Sequence, residues 1–272
     1  MEDWRSQFAQ EAREERPDLA LLCLLIGTEA EPELGQAGMD AAEIELDRLA
    51  GLVPYGPKDP VAWARALEKL LGEQYGFGGT PAEYGRLDSS LLHQVLRRRR
   101  GLPITLSVVW MEVARRAGAP VYGVALPGHF VVGFGDPGER VLADPFAGGR
   151  PMTGADAGLL VAGATGERLD PSLLLPADTL DIVLRVLNNI RAWAVARPEH
   201  SAVALWALDL ALLLPSHPAK LRYERARVLI QRGEFRAGAG ELEAYADVVE
   251  PVDRAAAEEL RQQAMAARSR LN

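Results

Sequence analysis

The chain has 272 residues, of which 48% are hydrophobic and 25% are charged, as in an ordinary globular protein of one large or two small domains. Its formal net charge of −8 disfavours a general nucleic-acid-binding protein, because such proteins need a basic surface for phosphates. A single cysteine excludes an intramolecular disulfide and a cysteine-rich metal site.

The apolar runs are too short to span a membrane, and the charged first residues do not form a signal peptide. A soluble, cytoplasmic protein is therefore expected, in line with the low cysteine content.

Helical periodicity predicts an amphipathic helix over residues 4–28, whose last part is wholly apolar and buried. Cys23 lies in that part, and we interpret it as a core residue rather than a nucleophile. Two further helices are predicted over 40–53 and 59–76, each beginning after an aspartate that caps it.

A glycine-rich loop over 76–85 precedes a helix over 89–100, which ends in the run Arg97–Arg100. We interpret this run as the solvated end of a helix, where cations are favoured by the helix dipole. A long helix then begins with Pro103 as its first residue and ends before Gly118.

After that helix the spacing of the apolar residues changes from a helical to a strand-like pattern. Residues 121–126, 129–134 and 140–144 are short, rich in valine, and separated by turns of glycine and proline. They predict an antiparallel meander packed on the long helix, so the fold class of this unit, residues 1–170, is α+β.

Residues 171–272 return to a helical pattern. At an offset of 35 residues, Arg197 aligns with Arg232 and Glu199 with Glu234. Two helical pairs and a final helix are predicted, and they resemble a tetratricopeptide repeat region. Such regions stack helices and present a concave face to a partner.

His129 begins one predicted strand and Asp144 ends the next, so a hairpin brings their side chains together. In a Cys-His-Asp site, the attacking thiolate sits at the N-terminus of a helix facing such a pair. Here the helix begins with Pro103 and has no cysteine.

The segments "GFGGTPAEY", "RRGLPITLS", "LPGHF" and "DPFAGG" resemble the SirB1-type family, a transglutaminase-like (papain-like) core followed by tetratricopeptide-like repeats. In the wider superfamily the helix opens Gly-x-Cys, with a glycine about fifteen residues later. The resemblance implies that Pro103 occupies the nucleophile position, and that His129 and Asp144 are the other two members of the triad. The SirB1-type branch is similar in having Gly-x-Pro at this place.

Two hydroxyl residues of the same helix are alternative nucleophiles. Ser107 lies on the face of Pro103, one turn deeper, whereas Thr105 is rotated by about 200° from it. Both are interpreted as hydroxyls inside a buried helix. No cofactor and no metal are expected, because the four histidines show no ligand spacing.

Two functional hypotheses follow. The favoured one is a non-catalytic module that lacks the nucleophile and binds a protein or peptide through the cleft and the repeats. The other is an amide or ester hydrolase or an acyl transferase that uses His129 and Asp144 with Ser107, Thr105 or water. A structural regulator with an idle cleft is a third hypothesis. Neither a nucleic acid nor a membrane is an expected partner.

Overall fold

The computed structural model of the protein describes residues 3–56 and 58–270. Their contacts form two units, one of residues 16–186 and one of residues 187–270 together with 3–15. The sequence pattern placed the boundary after residue 170 and left the N-terminal residues with the first unit.

The predicted single helix over 4–28 is wrong. Helix α1 (Trp4–Glu11) and helix α2 (Leu19–Ala30) are separate. Pro17 disfavours helical backbone at the residue before it and has no amide hydrogen to donate. Asp18 then caps α2 by accepting a hydrogen bond from the Leu21 amide at 3.0 Å.

The next two helices follow their predictions in part. Helix α3 (Gly35–Gly51) begins before Asp40, so the capping role predicted for Asp40 is wrong. Helix α4 (Pro60–Leu67) is capped by Asp59, which accepts from the Ala62 amide at 2.7 Å, and continues as a π-helical segment over Glu68–Gln74.

Helix α5 (Leu92–Arg98) ends because Arg99 adopts a left-handed conformation with φ of 57°. The prediction that the arginine run is solvated is wrong for Arg98, whose side chain is 18% exposed and lies 2.8 Å from Glu83. Arg99 donates to the carbonyl of Tyr75. The run therefore fixes the preceding loop.

Helix α6 (Pro103–Arg116) is buried from its first residue to Ala114 and packs against the sheet. The strands are β1 (Val121–Leu126), β2 (His129–Phe134), β3 (Val141–Asp144) and β4 (Arg150–Met152), in the antiparallel order β1-β2-β3-β4. The meander was predicted, but β4 and the following helix α7 (Gly154–Thr165) were not. No element was assigned to these residues from the sequence, which is rich in glycine.

Helix α8 (Thr179–Val195) runs from the first unit into the second. The second unit continues with α9 (Ser201–Leu213), α10 (Lys220–Gln231), α11 (Phe235–Val249) and α12 (Arg254–Ser269). Its core uses small side chains such as Ala226, Ala239 and Ala246, which let the helices approach closely. These helices confirm the expected pairs and final helix, and the fold class is α+β with a C-terminal helical repeat region.

No helix among the described residues is long and apolar enough to cross a membrane.

Candidate functional site

The strand register brings His129 and Asp144 to one face of the sheet. Val132 pairs with Ala143, which puts Asp144 opposite Val131 and diagonal to His129. His129 Nε2 lies 3.0 Å from Asp144 Oδ1, and both side chains are 12% exposed. The contact does not have the geometry of a hydrogen bond, and Nε2 has no hydrogen-bond partner among the described residues. The pair is thus within ion-pair distance in a nearly buried position.

The segment after β3 holds Asp144 and shapes its surroundings. Asp144 Oδ1 accepts a hydrogen bond from the Phe146 amide at 2.9 Å, at the start of a short helical turn over Pro145–Ala147. The Phe146 ring meets the His129 ring edge-on, with centroids 6.0 Å apart. Gly149, with φ of 85°, lies against the Trp110 indole, where a Cβ atom would be 2.8 Å from Nε1. These contacts account for the sequence "DPFAGG".

Phe146 also connects the His–Asp pair to the start of α6. A Cβ atom on Gly79 would lie 2.0 Å from the Phe146 ring and 2.8 Å from the Gly101 carbonyl oxygen. Only a glycine lets the loop pass between them. The buried Pro103 begins α6 directly after this junction.

The two hydroxyls of α6 are engaged by backbone groups. Thr105 Oγ1 donates to the Ser89 carbonyl at 2.6 Å and accepts from the Leu102 amide at 3.1 Å, so it caps the helix. Ser107 Oγ is fully buried and lies 3.4 Å from the Phe130 carbonyl oxygen. Cys23 is buried in α2, and this burial raises the pKa of its thiol. None of the three is a free, activated nucleophile.

Sequence reasoning missed two residues that lie at this site. Arg185 of α8 donates through Nη2 to the carbonyls of Leu126 and His129, at 2.6 and 2.7 Å. Tyr84 packs its half-exposed ring on Phe146, with centroids 6.2 Å apart. Partial burial raises the pKa of the Tyr84 phenol, the Arg185 charge opposes that rise, and the Asp144 charge adds to it. The hydroxyl of Tyr84 is therefore protonated at neutral pH and can donate a hydrogen bond.

The loop sequence "TPAEYG" offered a weak signal for Tyr84, since it belongs to the segments that carry the family resemblance. Arg185 had none, because nothing in a helical pattern distinguishes it. Among the described residues, no three His, Cys, Asp or Glu side chains are grouped to hold a metal ion.

The model of the family described as "Transglutaminase-like superfamily" matches residues 39–188, more than half of the chain. The chain belongs to the transglutaminase-like superfamily. A second family model, that of the tetratricopeptide repeat, matches residues 190–271 of the chain. The SirB1-type resemblance is confirmed, together with its repeat region.

Curated relatives of this transglutaminase-like chain agree with that placement. A UPF0162 protein of Xylella fastidiosa (strain Temecula1) is 32% identical over 185 residues, which are 66% of each chain. A UPF0162 protein of Vibrio cholerae is 29% identical over 68% of this chain and 70% of its own. Human F-box only protein 21 is 24% identical over 58% of this chain, but over only 26% of its own length. The match to the Xylella protein thus spans just under two thirds of that protein.

Proposed function

We propose that the chain is a cytoplasmic, non-catalytic module that binds a protein or peptide and keeps the His129–Asp144 pair without a nucleophile. The observation that carries the proposal is that neither hydroxyl on α6 is free to act as a nucleophile. Thr105 and Ser107 are buried and bonded to backbone groups, while Pro103 begins the helix. Attack on an amide or ester needs a free nucleophile beside the base.

A groove beside the pair supports a peptide as the occupant. It is bordered by Asp144 and continues along β4 and α7, where Leu159 is 73% exposed. Its apolar lining comes from Ala147, Pro151, Met152, Leu159 and Leu160. An apolar groove that ends in a few polar groups is typical of a ligand site. Tetratricopeptide repeats, which the chain carries over residues 190–271, generally mediate protein interactions.

One observation favours the enzyme as a second candidate. His129 Nε2 and Asp144 Oδ1 are 3.0 Å apart, and a carboxylate near an imidazole can stabilise its protonated form during a proton transfer. A water molecule would then attack the carbonyl carbon and give up a proton to His129, and the C–N or C–O bond would break to release a carboxylic acid and an amine or alcohol.

Recovery of bound peptides tests the proposal. A random peptide library is incubated with the immobilised full chain, and enriched peptides are eluted and weighed by mass spectrometry. We expect enrichment of a defined set of peptides with unchanged masses. Peptides shortened at one bond, or transferred onto an amine, would support the enzyme instead, provided that His129→Ala abolishes the change.

A further inference from the structure

The run Arg97–Arg100 carries more positive charge than its contacts neutralise. Among the described residues, Arg98 lies at ion-pair distance from Glu83, whereas no carboxylate lies at that distance from the other three arginines of the run. Those three side chains are exposed. In a chain with a net charge of −8, they form a local patch of cations without acidic partners.

Arg99 ends α5 in a conformation that disfavours an arginine. In the part of the chain that the structure describes, it is the one residue other than glycine with a positive φ, which is 57°. Helices commonly end on a glycine in this left-handed conformation, because a Cβ atom is crowded there. An arginine kept at such a position points to a role for its side chain.

The guanidinium of Arg99 is held against Tyr75. Nη1 donates to the Tyr75 carbonyl oxygen at 3.2 Å, and Cζ lies 5.1 Å from the centroid of the Tyr75 ring. Arg48 lies at the same distance from that ring, but its Nε and Nη2 donate to both oxygens of Glu45. No described residue accepts a hydrogen bond from Nε or Nη2 of Arg99. These two nitrogens form one planar edge of the guanidinium, and that edge is free.

Arg100 repeats this arrangement on the next carbonyl. Its Nη1 donates to the Gly76 carbonyl oxygen and, at 3.0 Å, to that of Arg99. Its backbone forms a bridge with Gly78. Nε and Nη2 again have no acceptor among the described residues. Two neighbouring arginines are thus anchored through Nη1 and leave the opposite edge of the guanidinium unused.

A cavity of about 420 Å³ between α3 and α5 borders on Arg99. Its apolar wall consists of Leu34, Ala41, Ala42 and Leu96. The cavity shares no lining residue with the groove beside Asp144. It therefore offers space for an aliphatic side chain next to a guanidinium edge.

We propose that Arg99 and Arg100 form a second interaction surface, which binds an acidic segment of a partner protein. The free edge of each guanidinium matches the two oxygens of a carboxylate, so the two arginines bind two acidic side chains. An aliphatic side chain of the same segment enters the cavity lined by Leu96. This surface goes beyond the proposed function, since it involves neither His129 nor the groove beside it.

The surrounding charges favour carboxylates over phosphate groups. Glu31 and Glu45 also line the cavity, and they repel a phosphoserine of charge near −2 about twice as strongly as a carboxylate. A nucleic acid needs a basic surface that follows several phosphates. Three unpaired arginines on a chain with a net charge of −8 do not supply it.

Short peptides with blocked ends test the surface on the full chain. A library built from Glu, Asp, Leu and Gly is screened on the immobilised protein, and the Kd of an enriched peptide is measured by fluorescence anisotropy. The comparison probes are its version with Gln and Asn in place of Glu and Asp, its phosphoserine version, and a single-stranded oligonucleotide of similar length. We expect the acidic peptide to bind best. Its neutral version should have a Kd at least about tenfold higher, and added salt should weaken binding.

Arg99→Gly separates binding from support of the loop. The variant removes the guanidinium but suits the left-handed backbone. Its Tm should be unchanged or higher, because the relieved strain offsets the lost contacts with Tyr75. Its Kd for the acidic peptide should nevertheless rise about tenfold, since a charge-assisted pair of hydrogen bonds is lost.

Two further variants test the planar edge and the specificity of the effect. Arg100→Lys keeps the charge but loses the edge, and it should raise Kd several-fold. Arg86→Gln is the matched control, because it removes one exposed arginine that is already paired with Asp88 at 3.0 Å. It should leave Kd unchanged.

Several outcomes would overturn the surface, and none of them bears on the groove beside Asp144. Equal Kd values for the acidic and neutral peptides would contradict it, as would no binding of any acidic peptide. Tighter binding of the phosphoserine peptide or of the oligonucleotide would assign the patch to a phosphate ligand instead. A lower Tm with an unchanged Kd in Arg99→Gly would show that Arg99 serves the loop alone. An unchanged Kd in both Arg99→Gly and Arg100→Lys would place the peptide elsewhere.

Discussion

Among single residues, Pro103 is the one whose replacement tests the chemistry of the site most simply. It is the first residue of α6, where the amide groups of the first turn and the helix dipole favour a negative charge. Because Thr105 and Ser107 are bonded to backbone groups, a nucleophile placed at 103 would have no competitor on the first turns of this helix.

Pro103→Cys is expected to create a thiol that iodoacetamide modifies in the native protein faster than it modifies Cys23. Residue 103 is buried as well, but the helix N-terminus opposes the rise in thiol pKa that burial causes there, whereas nothing comparable acts on Cys23 in the middle of α2. His129→Ala in the same background should slow the reaction. Mass spectrometry after peptide digestion measures both rates. Loss of the rigid proline should lower the free energy of unfolding by about 1 kcal/mol.

Ser107→Cys is the matched control, because it introduces a thiol one turn further along the same helix at a fully buried position. It should react as slowly as Cys23. The assignment of Pro103 to the nucleophile position is wrong if the thiol of Pro103→Cys reacts no faster than that of Ser107→Cys. It is also wrong if His129→Ala leaves the rate of Pro103→Cys unchanged.

The sequence could predict that His129 and Asp144 meet because a short hairpin fixes which side chains share a face. It could not predict Tyr84 and Arg185. These residues lie far from His129 along the chain, and only the packing of the loop and of α8 brings them to the strands.

Among the elements, the short turn over Pro81–Gly85 matters most, since it carries Tyr84. Its anchor is Glu83, whose side chain is 9% exposed and lies 2.8 Å from Arg98. Burial alone would raise the pKa of Glu83, but hydrogen bonds from Ser89 and Arg98 outweigh it and hold the pKa below its ordinary value of 4.5. The charged form of Glu83 therefore stabilises the fold.

Glu83→Gln is expected to lower the free energy of unfolding by about 2 kcal/mol at neutral pH, because it removes the charge that faces Arg98. A group whose pKa is lowered on folding stabilises the fold above its unfolded value. That contribution is lost as the pH falls from 4.5 through the lowered value of the folded protein. Chemical denaturation of the wild type and of Glu83→Gln over this pH range measures the effect. The difference between their free energies of unfolding should shrink as the pH falls.

Glu45→Gln is the control for Glu83→Gln, since Glu45 pairs with Arg48 at the surface, where both side chains are about a third or more exposed. Its cost should stay below about 0.5 kcal/mol. Equal costs for the two variants, or a cost at Glu83 that persists in acid, would contradict the anchoring role.

Elements with a clear start and end could be predicted from the sequence. Pro103 and Gly118 bound α6, and the valine-rich runs gave β1, β2 and β3. The prediction failed at the first helix, which Pro17 interrupts, and it assigned no element to the glycine-rich residues of β4 and α7. Glycine content alone does not separate a loop from a strand that packs closely.

For the whole molecule, internal repetition and family resemblance gave the arrangement of a transglutaminase-like part followed by helical repeats, which the two family matches confirm. The membership of α1 in the second unit could not be read from the sequence. It depends on long-range contacts within that unit, such as the ion pair of Arg5 with Asp209 at 3.1 Å. A periodic pattern shows that a helix has an apolar face, but not which partner covers it.

The central claim is that this fold binds without catalysing, and turnover of simple substrates by the full chain tests it most directly. Hydrolysis of a p-nitrophenyl ester and of a fluorogenic amide is measured for the wild type, His129→Ala and Asp144→Asn at equal concentration. The account predicts that all three proteins give the same rate, indistinguishable from that of buffer with an inert protein. A wild-type rate above this background that falls at least about tenfold in His129→Ala would contradict it, because general acid–base catalysis by the imidazole has an effect of that size or larger.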